Sequence, residues 1–233
     1  MMVLKLTRNT SREFYGICMK FVFYVVVFVH FSFSFAGSYE DFFRAVRGDD
    51  GPTITSLLAR GFDGNVPDPK GEYALHLAVR DEAPKAVAAL LAWNKIQVEV
   101  RNKADESPLM LASLGGQLAV AKRLIDLGAD VNKTGWTPLH YAATRGHLDL
   151  MNLLLDKNAY IDAASPNGTT PLMMAAFYGS PSAVKLLLEA GADPLLRNEK
   201  NMTAIEFAQK ANRADSADII AAFIRARQPK GKW

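Results

Sequence analysis

The stretch Gly135-Trp136-Thr137-Pro138-Leu139-His140-Tyr141-Ala142-Ala143 decides the fold of this chain. Its Thr-Pro pair predicts a helix start, because the threonine oxygen can accept from an unpaired amide and proline lacks an N–H that would have no intrahelical partner. The leucine and the two alanines then share one face, and the alanines are small enough for a neighbouring helix to approach closely. Gly146 ends this short helix and a leucine-rich helix follows. One such pair cannot bury its own apolar face, so the pattern predicts repetition.

The same landmark recurs along the chain. Its copies begin 34, 30, 33 and 33 residues apart, at Ala74, Pro108, Pro138, Pro171 and Ala204. A second landmark has the same spacing: each leucine-rich second helix is followed by a residue that tolerates the left-handed conformation closing a helix. These predicted stops are Gly61, Asn94, Gly128, Asn158 and Gly191, at intervals of 33, 34, 30 and 33 residues.

A 33-residue period that carries Thr-Pro-Leu-His-x-Ala resembles the ankyrin-repeat family. Thr137-Pro138-Leu139-His140 matches that motif fully, whereas Ala74 replaces its proline, and Met110 and Met173 replace its histidine. The resemblance implies an all-α solenoid of stacked helix-turn-helix units with capping repeats at both ends. We expect about six units in residues 37–226, followed by a disordered basic tail at 227–233.

The 30-residue interval lies between the third and fourth units. Only two residues separate Asn132 from Gly135, whereas the next junction has room for a longer loop. We therefore predict that the finger-like hairpin joining these two units is three residues shorter, with the helices still stacked.

Residues 1–36 differ from the repeats. An apolar run from Phe21 to Phe35 follows Lys20 and ends at Ser34-Phe35-Ala36, which is typical of a secretory signal peptide, with Met19 as an alternative start. The alternative is an uncleaved membrane anchor. We expect export to a bacterial periplasm; inner-membrane anchoring and secretion are the alternatives.

Charge and cysteine content narrow the classes of function. The net charge of the whole chain is +3, and residues 1–36 alone account for it, so the repeats sum to zero and disfavour nucleic-acid binding. The lone cysteine, Cys18, precedes the repeats, which excludes disulfides and cysteine-ligated metals from them. We expect no cofactor and no metal.

Catalytic motifs are absent from the sequence. Gly115-Gly116 lacks the Lys-Ser/Thr of a phosphate-binding loop, and no serine follows a strand as in a nucleophile elbow. His76 and His140 occupy the fourth motif position, where the resemblance implies a ring that hydrogen-bonds the backbone of the junction. They lie two repeats apart, too far for one metal site. We predict no enzyme activity; an unrecognised hydrolase is the less favoured alternative.

Binding is therefore the predicted function, through the concave face that the short first helices line. The side chains expected to point outward there, or to project near the finger loops, are Arg80, Asp81, Leu114, Trp136, Thr144, Arg145, Phe177 and Tyr178. Aromatic and arginine side chains dominate binding hot spots. Trp136, Phe177 and Tyr178, with Arg145 and Leu114, form one apolar groove patch in this interpretation. In the alternative, Phe177 and Tyr178 simply pack on each other or on Trp136.

The predicted function is thus a non-catalytic protein-protein interaction module acting in the periplasm, with a protein partner that the sequence does not identify. A membrane-anchored envelope scaffold with an uncleaved leader is the alternative, and membrane contact is expected only through that leader. We expect a monomer.

Overall fold

The computed structural model describes residues 37–227 as a row of helices without strands; its one β-bridge pairs Pro67 with Tyr73. The predicted signal peptide at 1–36 and all but the first residue of the predicted tail lie outside the described residues. Six helix pairs follow one another in the described part of the chain, as the resemblance implied. Unit 1 is α1 (residues 37–47) with α2 (Gly51–Ala59), and unit 2 is α3 (Ala74–Arg80) with α4 (Pro84–Ala92).

The remaining four units repeat this arrangement. Unit 3 is α5 (Pro108–Leu114) with α6 (Leu118–Asp126), and unit 4 is α7 (Pro138–Arg145) with α8 (Leu148–Asp156). Unit 5 is α9 (Pro171–Phe177) with α10 (Pro181–Glu189), and unit 6 is α11 (Ala204–Lys210) with α12 (Ala214–Arg227). The last helix therefore extends one residue beyond the predicted boundary at 226.

The helices stack in two parallel layers. From unit 2 onward each first helix contacts the next first helix, and each second helix contacts the next second helix. The first-helix layer is the more closely packed, because fully buried alanines such as Ala112, Ala142 and Ala175 keep the backbones near each other. This difference curves the row towards the first helices, which accordingly line its concave face.

Local sequence explains where the helices begin. Ser107, Thr137 and Thr170 each accept at the side-chain oxygen from the backbone N–H three residues later, and proline follows each of them. Helix α3 is the exception, because Tyr73 stands at its N-cap and supplies no side-chain hydrogen bond.

The predicted helix stops are confirmed at four positions and wrong at the fifth. Gly61, Gly128, Asn158 and Gly191 all have positive φ angles, between 62° and 108°. Asn94 does not: α4 ends instead at Trp93, which leaves the helix in an extended conformation. The preceding interval has room for this exit, since 13 residues separate Asn94 from the next N-cap and 12 separate Asn158 from its own.

The shortened finger is also present. In the four full fingers, a backbone N–H donates to the carbonyl four residues later, as Asp68 does to Glu72 and Ser165 does to Thr169. The junction between units 3 and 4 lacks those residues, and a side chain closes it instead. The Lys133 ammonium group donates to the Asp105 carboxylate of the preceding finger and to the Thr134 carbonyl, 3.1 Å away. Helices α5 and α7 remain in contact across this junction, as predicted.

Candidate partner-binding face

The buried His140 side chain connects units 4 and 5. Its Nδ1 accepts from the Thr137 backbone N–H at 3.1 Å, so the ring proton lies on Nε2, which donates to the Thr169 carbonyl at 2.9 Å. Burial lowers the pKa of His140 to about 4. The ring is therefore neutral at neutral pH, and it serves as an inter-repeat bond, as the resemblance implied.

His76 forms the equivalent bond between units 2 and 3. Its Nε2 lies 2.8 Å from the Glu106 carbonyl, and burial lowers its pKa as well. Its Nδ1 has no hydrogen-bond partner, because Tyr73 stands where unit 4 has Thr137. The expected structural role of both histidines is thus confirmed, with one bond missing at His76.

The other units replace this histidine with side chains that act only within their own repeat. Met110 and Met173 each accept, at the thioether sulfur, a backbone N–H of the preceding cap at 3.4 Å. In unit 6 the Glu206 carboxylate accepts the Thr203 N–H at 2.6 Å. Among the described residues, these three side chains make no bond to the following unit.

A second set of bonds joins the turns between the two helices of each unit to the preceding unit. The Gln117 amide donates to the Val79 carbonyl at 2.7 Å, His147 Nε2 lies 3.1 Å from the Leu114 carbonyl, and Arg213 donates to the Tyr178 carbonyl at 3.0 Å. The first helices are therefore held at both edges of the concave face, which makes that face a rigid surface.

The sequence-predicted residues in units 2 and 3 lie on this face. Arg80 is exposed and pairs with Glu72 at 3.4 Å and with Asp81 at 3.3 Å, while Leu114 is half-buried. Beside them Tyr141 donates its hydroxyl to the Glu106 carboxylate at 2.9 Å. Burial and that hydrogen bond raise the pKa of Tyr141, so its hydroxyl keeps its proton. Sequence analysis missed this tyrosine, because its partner lies 35 residues away.

Unit 4 places its three predicted residues differently. Arg145 is exposed, whereas Thr144 is half-buried and donates its hydroxyl to the His140 carbonyl at 2.7 Å. Trp136 is half-buried, with its ring edge against the His140 ring at a centroid distance of 5.2 Å. The tryptophan therefore covers the inter-repeat histidine.

Phe177 and Tyr178 pack on each other, with ring centroids 4.5 Å apart. Phe177 also meets Phe207 of unit 6 at 6.0 Å, a contact that sequence analysis missed. No ring contact joins either residue to Trp136 among residues 37–227, so the predicted single patch divides in two. We call Phe177, Tyr178 and Phe207 the aromatic platform. Tyr178 remains 55% exposed, so mutual packing does not remove the platform from the surface.

A separate groove lies at the first end of the stack. It has a volume of about 500 Å³ and lies between α1 and the first finger. Its arginines are paired: Arg44 with Asp41 at 2.8 Å, and Arg47 with Asp68 at 3.2 Å. No predicted binding residue lines this groove.

Metal and membrane chemistry find no support in the described part of the chain. Residues 37–227 contain no group of three or more histidine or carboxylate side chains placed to hold a metal ion. No helix in this range combines the length and apolar character that crossing a bilayer requires.

The geometry defines a helical repeat protein whose exposed functional surface is a concave face. The family model for ankyrin repeats matches three overlapping segments, residues 42–134, 87–165 and 128–198. The chain belongs to the ankyrin-repeat family, whose repeats are protein-interaction modules.

Two curated relatives show the same repeats within longer proteins. The chain is 32% identical over 169 residues to the nuclear factor NF-kappa-B p105 subunit of Gallus gallus, covering 70% of this chain and 17% of that protein. It is 30% identical over 169 residues to the B-cell lymphoma 3 protein homolog of Mus musculus, covering 70% of this chain and 38% of that protein. The match therefore spans less than two fifths of either relative.

One solved structure covers a full chain. The complex of the predatory endopeptidase Bd0816 from Bdellovibrio bacteriovorus with immunity protein Bd3460 contains a chain that superposes with a TM-score of 0.69 at 28% identity. The match covers 78% of this chain and 97% of that one.

Proposed function

We propose that this chain is a non-catalytic interaction module that binds a protein partner through its concave face after export to the periplasm. The observation that carries this proposal is the aromatic platform, a solvent-exposed ring cluster on helices whose positions are fixed by inter-repeat hydrogen bonds. A preformed surface of this kind loses little conformational entropy on binding.

The solved complex suggests which class of partner to examine first. Its chains are an endopeptidase and an immunity protein, and one of them matches this chain over nearly its whole length. We infer that an exported peptidase is the first partner class to test. The absence of a metal cluster from residues 37–227 fits a binding role.

Site-specific photocrosslinking tests the binding face. Benzoylphenylalanine replaces Tyr178 in the chain expressed in its native cell, and in a matched variant it replaces Lys122, an exposed residue of α6 on the outer layer. We expect a discrete crosslinked protein, identified by mass spectrometry, from position 178 and not from position 122. Crosslinks from position 122 alone would contradict the assignment of the concave face.

Export and leader cleavage need a separate measurement. The motivating observation is the apolar run before Ser34-Phe35-Ala36. Intact mass spectrometry of the chain from the periplasmic fraction should give an N-terminus at Gly37. A chain that retains the apolar run and sediments with membranes would instead support the anchored scaffold. Turnover of general esterase, phosphatase or peptidase substrates by the purified chain would overturn the non-catalytic role.

A further inference from the structure

We propose that the second half of the concave face binds an acidic segment of the partner protein, in which carboxylates flank a bulky apolar side chain. This inference rests on the proposed function, because it takes the concave face as the binding surface. It adds the chemistry of the partner and confines the contact to units 4 to 6.

The aromatic platform supplies the apolar half of the site. Phe177 is held between Tyr178 and Phe207, at centroid distances of 4.5 and 6.0 Å. Arg213 fixes the backbone of Tyr178 through its carbonyl. The exposed tyrosine ring therefore presents an ordered apolar surface of the kind that hot spots use.

The cations beside the platform lack partners of their own. Arg145 precedes Tyr178 by one repeat in the same structural position, and Lys210 follows Phe177 in its position one repeat later. Both side chains are exposed, and neither has an ion pair or a side-chain hydrogen bond within residues 37–227. In units 1 and 2, by contrast, Arg47 and Arg80 at the position of Lys210 are paired with carboxylates.

The finger loops explain this difference. The residue just before each first-helix cap projects towards the first helices, and in unit 2 it is Glu72, which pairs with Arg80 at 3.4 Å. In units 4 to 6 the corresponding residues are Trp136, Thr169 and Met202, none of which carries a charge. The protein thus neutralises the cations of its first half and leaves Arg145 and Lys210 for a ligand to neutralise.

Charge complementarity therefore selects carboxylates, and the ring cluster between the two cations selects an apolar side chain. Exposed ion pairs contribute only about 0.2–1 kcal/mol each, so the apolar contact supplies most of the affinity. The two cations fix the orientation of the segment and exclude basic competitors, because like charges disfavour the wrong partner.

Backbone NMR with defined peptides tests this inference. The probe is the peptide Glu-Glu-Leu-Phe-Glu-Glu, titrated into the ¹⁵N-labelled chain as it is purified after export, with Lys-Lys-Leu-Phe-Lys-Lys as the charge-reversed comparison. We expect the acidic peptide to shift the amide signals of Arg145, Tyr178 and Lys210, and the basic peptide to leave them unchanged. Equal binding of the two peptides, shifts confined to units 1 to 3, or no binding by either would overturn the inference.

A double charge reversal provides the matched control. R145E/K210E should weaken the acidic peptide about tenfold, because two favourable charge contacts become unfavourable. K122E on the outer layer should leave the affinity unchanged. An R145E/K210E chain that melts like the wild type and still binds the acidic peptide equally well would overturn the role of the two cations. If photocrosslinking from position 178 succeeds while the peptide titration fails, only the partner chemistry is wrong.

Discussion

His140 and Thr169 lie in neighbouring repeats and are joined by a hydrogen bond of 2.9 Å from the imidazole Nε2 to the backbone carbonyl. The same ring accepts the Thr137 N–H on its other nitrogen. One neutral side chain therefore caps its own helix and fixes the position of the next finger. Burial of both ring nitrogens makes the stability of the stack depend on the protonation of this histidine.

Replacing His140 with methionine should separate these two roles. Met110 and Met173 show that methionine can accept the cap N–H at this position, but it cannot donate to Thr169. We expect H140M to lower the free energy of unfolding at pH 7 by about 1–3 kcal/mol, because it leaves a buried carbonyl unpaired. Urea denaturation measures the change. An unchanged midpoint would show that the inter-repeat bond contributes no stability.

The low pKa of His140 predicts loss of stability in acid. The unfolded ring takes up a proton near pH 6.5, whereas the folded ring does so only at about 4. Between these values the unfolded state binds more protons, so stability is complete above pH 6.5 and falls as the pH decreases towards 4. The slope is at most about 1.4 kcal/mol per pH unit from this group. Urea titrations at pH 7 and 5 should show a smaller decrease for H140M than for the wild type.

Tyr73 at the cap of α3 leaves the Nδ1 atom of His76 unpaired. Threonine at this position would supply the hydroxyl that Thr137 supplies to His140. We expect Y73T to be more stable than Y73A by about 1 kcal/mol, the usual value of an N-cap. The alanine variant is the control because it also removes the tyrosine ring. Equal melting temperatures for the two variants would contradict this explanation.

The ion pair at the shortened finger predicts an asymmetry. The Lys133 side chain is 8% exposed, whereas the Asp105 side chain is 69% exposed. D105N leaves a buried ammonium group without its counter-charge, while K133M leaves a carboxylate that water can solvate. Removal of one partner from a buried pair costs up to about 3–5 kcal/mol, so we expect D105N to destabilise the chain more than K133M does. Thermal melts of the two variants compare these costs directly, and the reverse order would contradict the assigned role of Lys133.

The aromatic platform should tolerate loss of its exposed ring. Y178A removes a side chain that is 55% exposed, and we expect its unfolding free energy to stay within about 0.5 kcal/mol of the wild type. F177A should cost more, because Phe177 is half-buried and packs on two rings. Equally severe destabilisation by both changes would mean that Tyr178 is a structural residue, and its photocrosslinking result could then not be assigned to binding.

Sequence spacing predicted the features that depend on neighbouring residues. The Thr-Pro caps, the glycine stops and the position of the missing three residues all follow from local backbone chemistry, and the structure agrees with them. Asn94 shows the limit of this reasoning. Asparagine tolerates a left-handed conformation but does not require it, and the longer interval after α4 let Trp93 leave the helix in an extended conformation instead.

The candidate site was harder to predict, because its contacts join residues about one repeat apart. Phe207 meets Phe177 across 30 residues, and Tyr141 reaches Glu106 across 35. The period gives the registration of such pairs but not the direction of each side chain. Trp136 illustrates this: the spacing placed it near the face, but its ring lies against His140 and not against the platform.

The inter-repeat bonds alternate between the two edges of the groove. Units 4 and 5 are joined at the finger edge by His140, whereas units 3 and 4, and units 5 and 6, are joined at the turn edge by His147 and Arg213. Each of these junctions can therefore pivot only about its own bonded edge, and successive pivots lie on opposite sides. A partner that forces the groove wider would twist the stack and not merely flatten it.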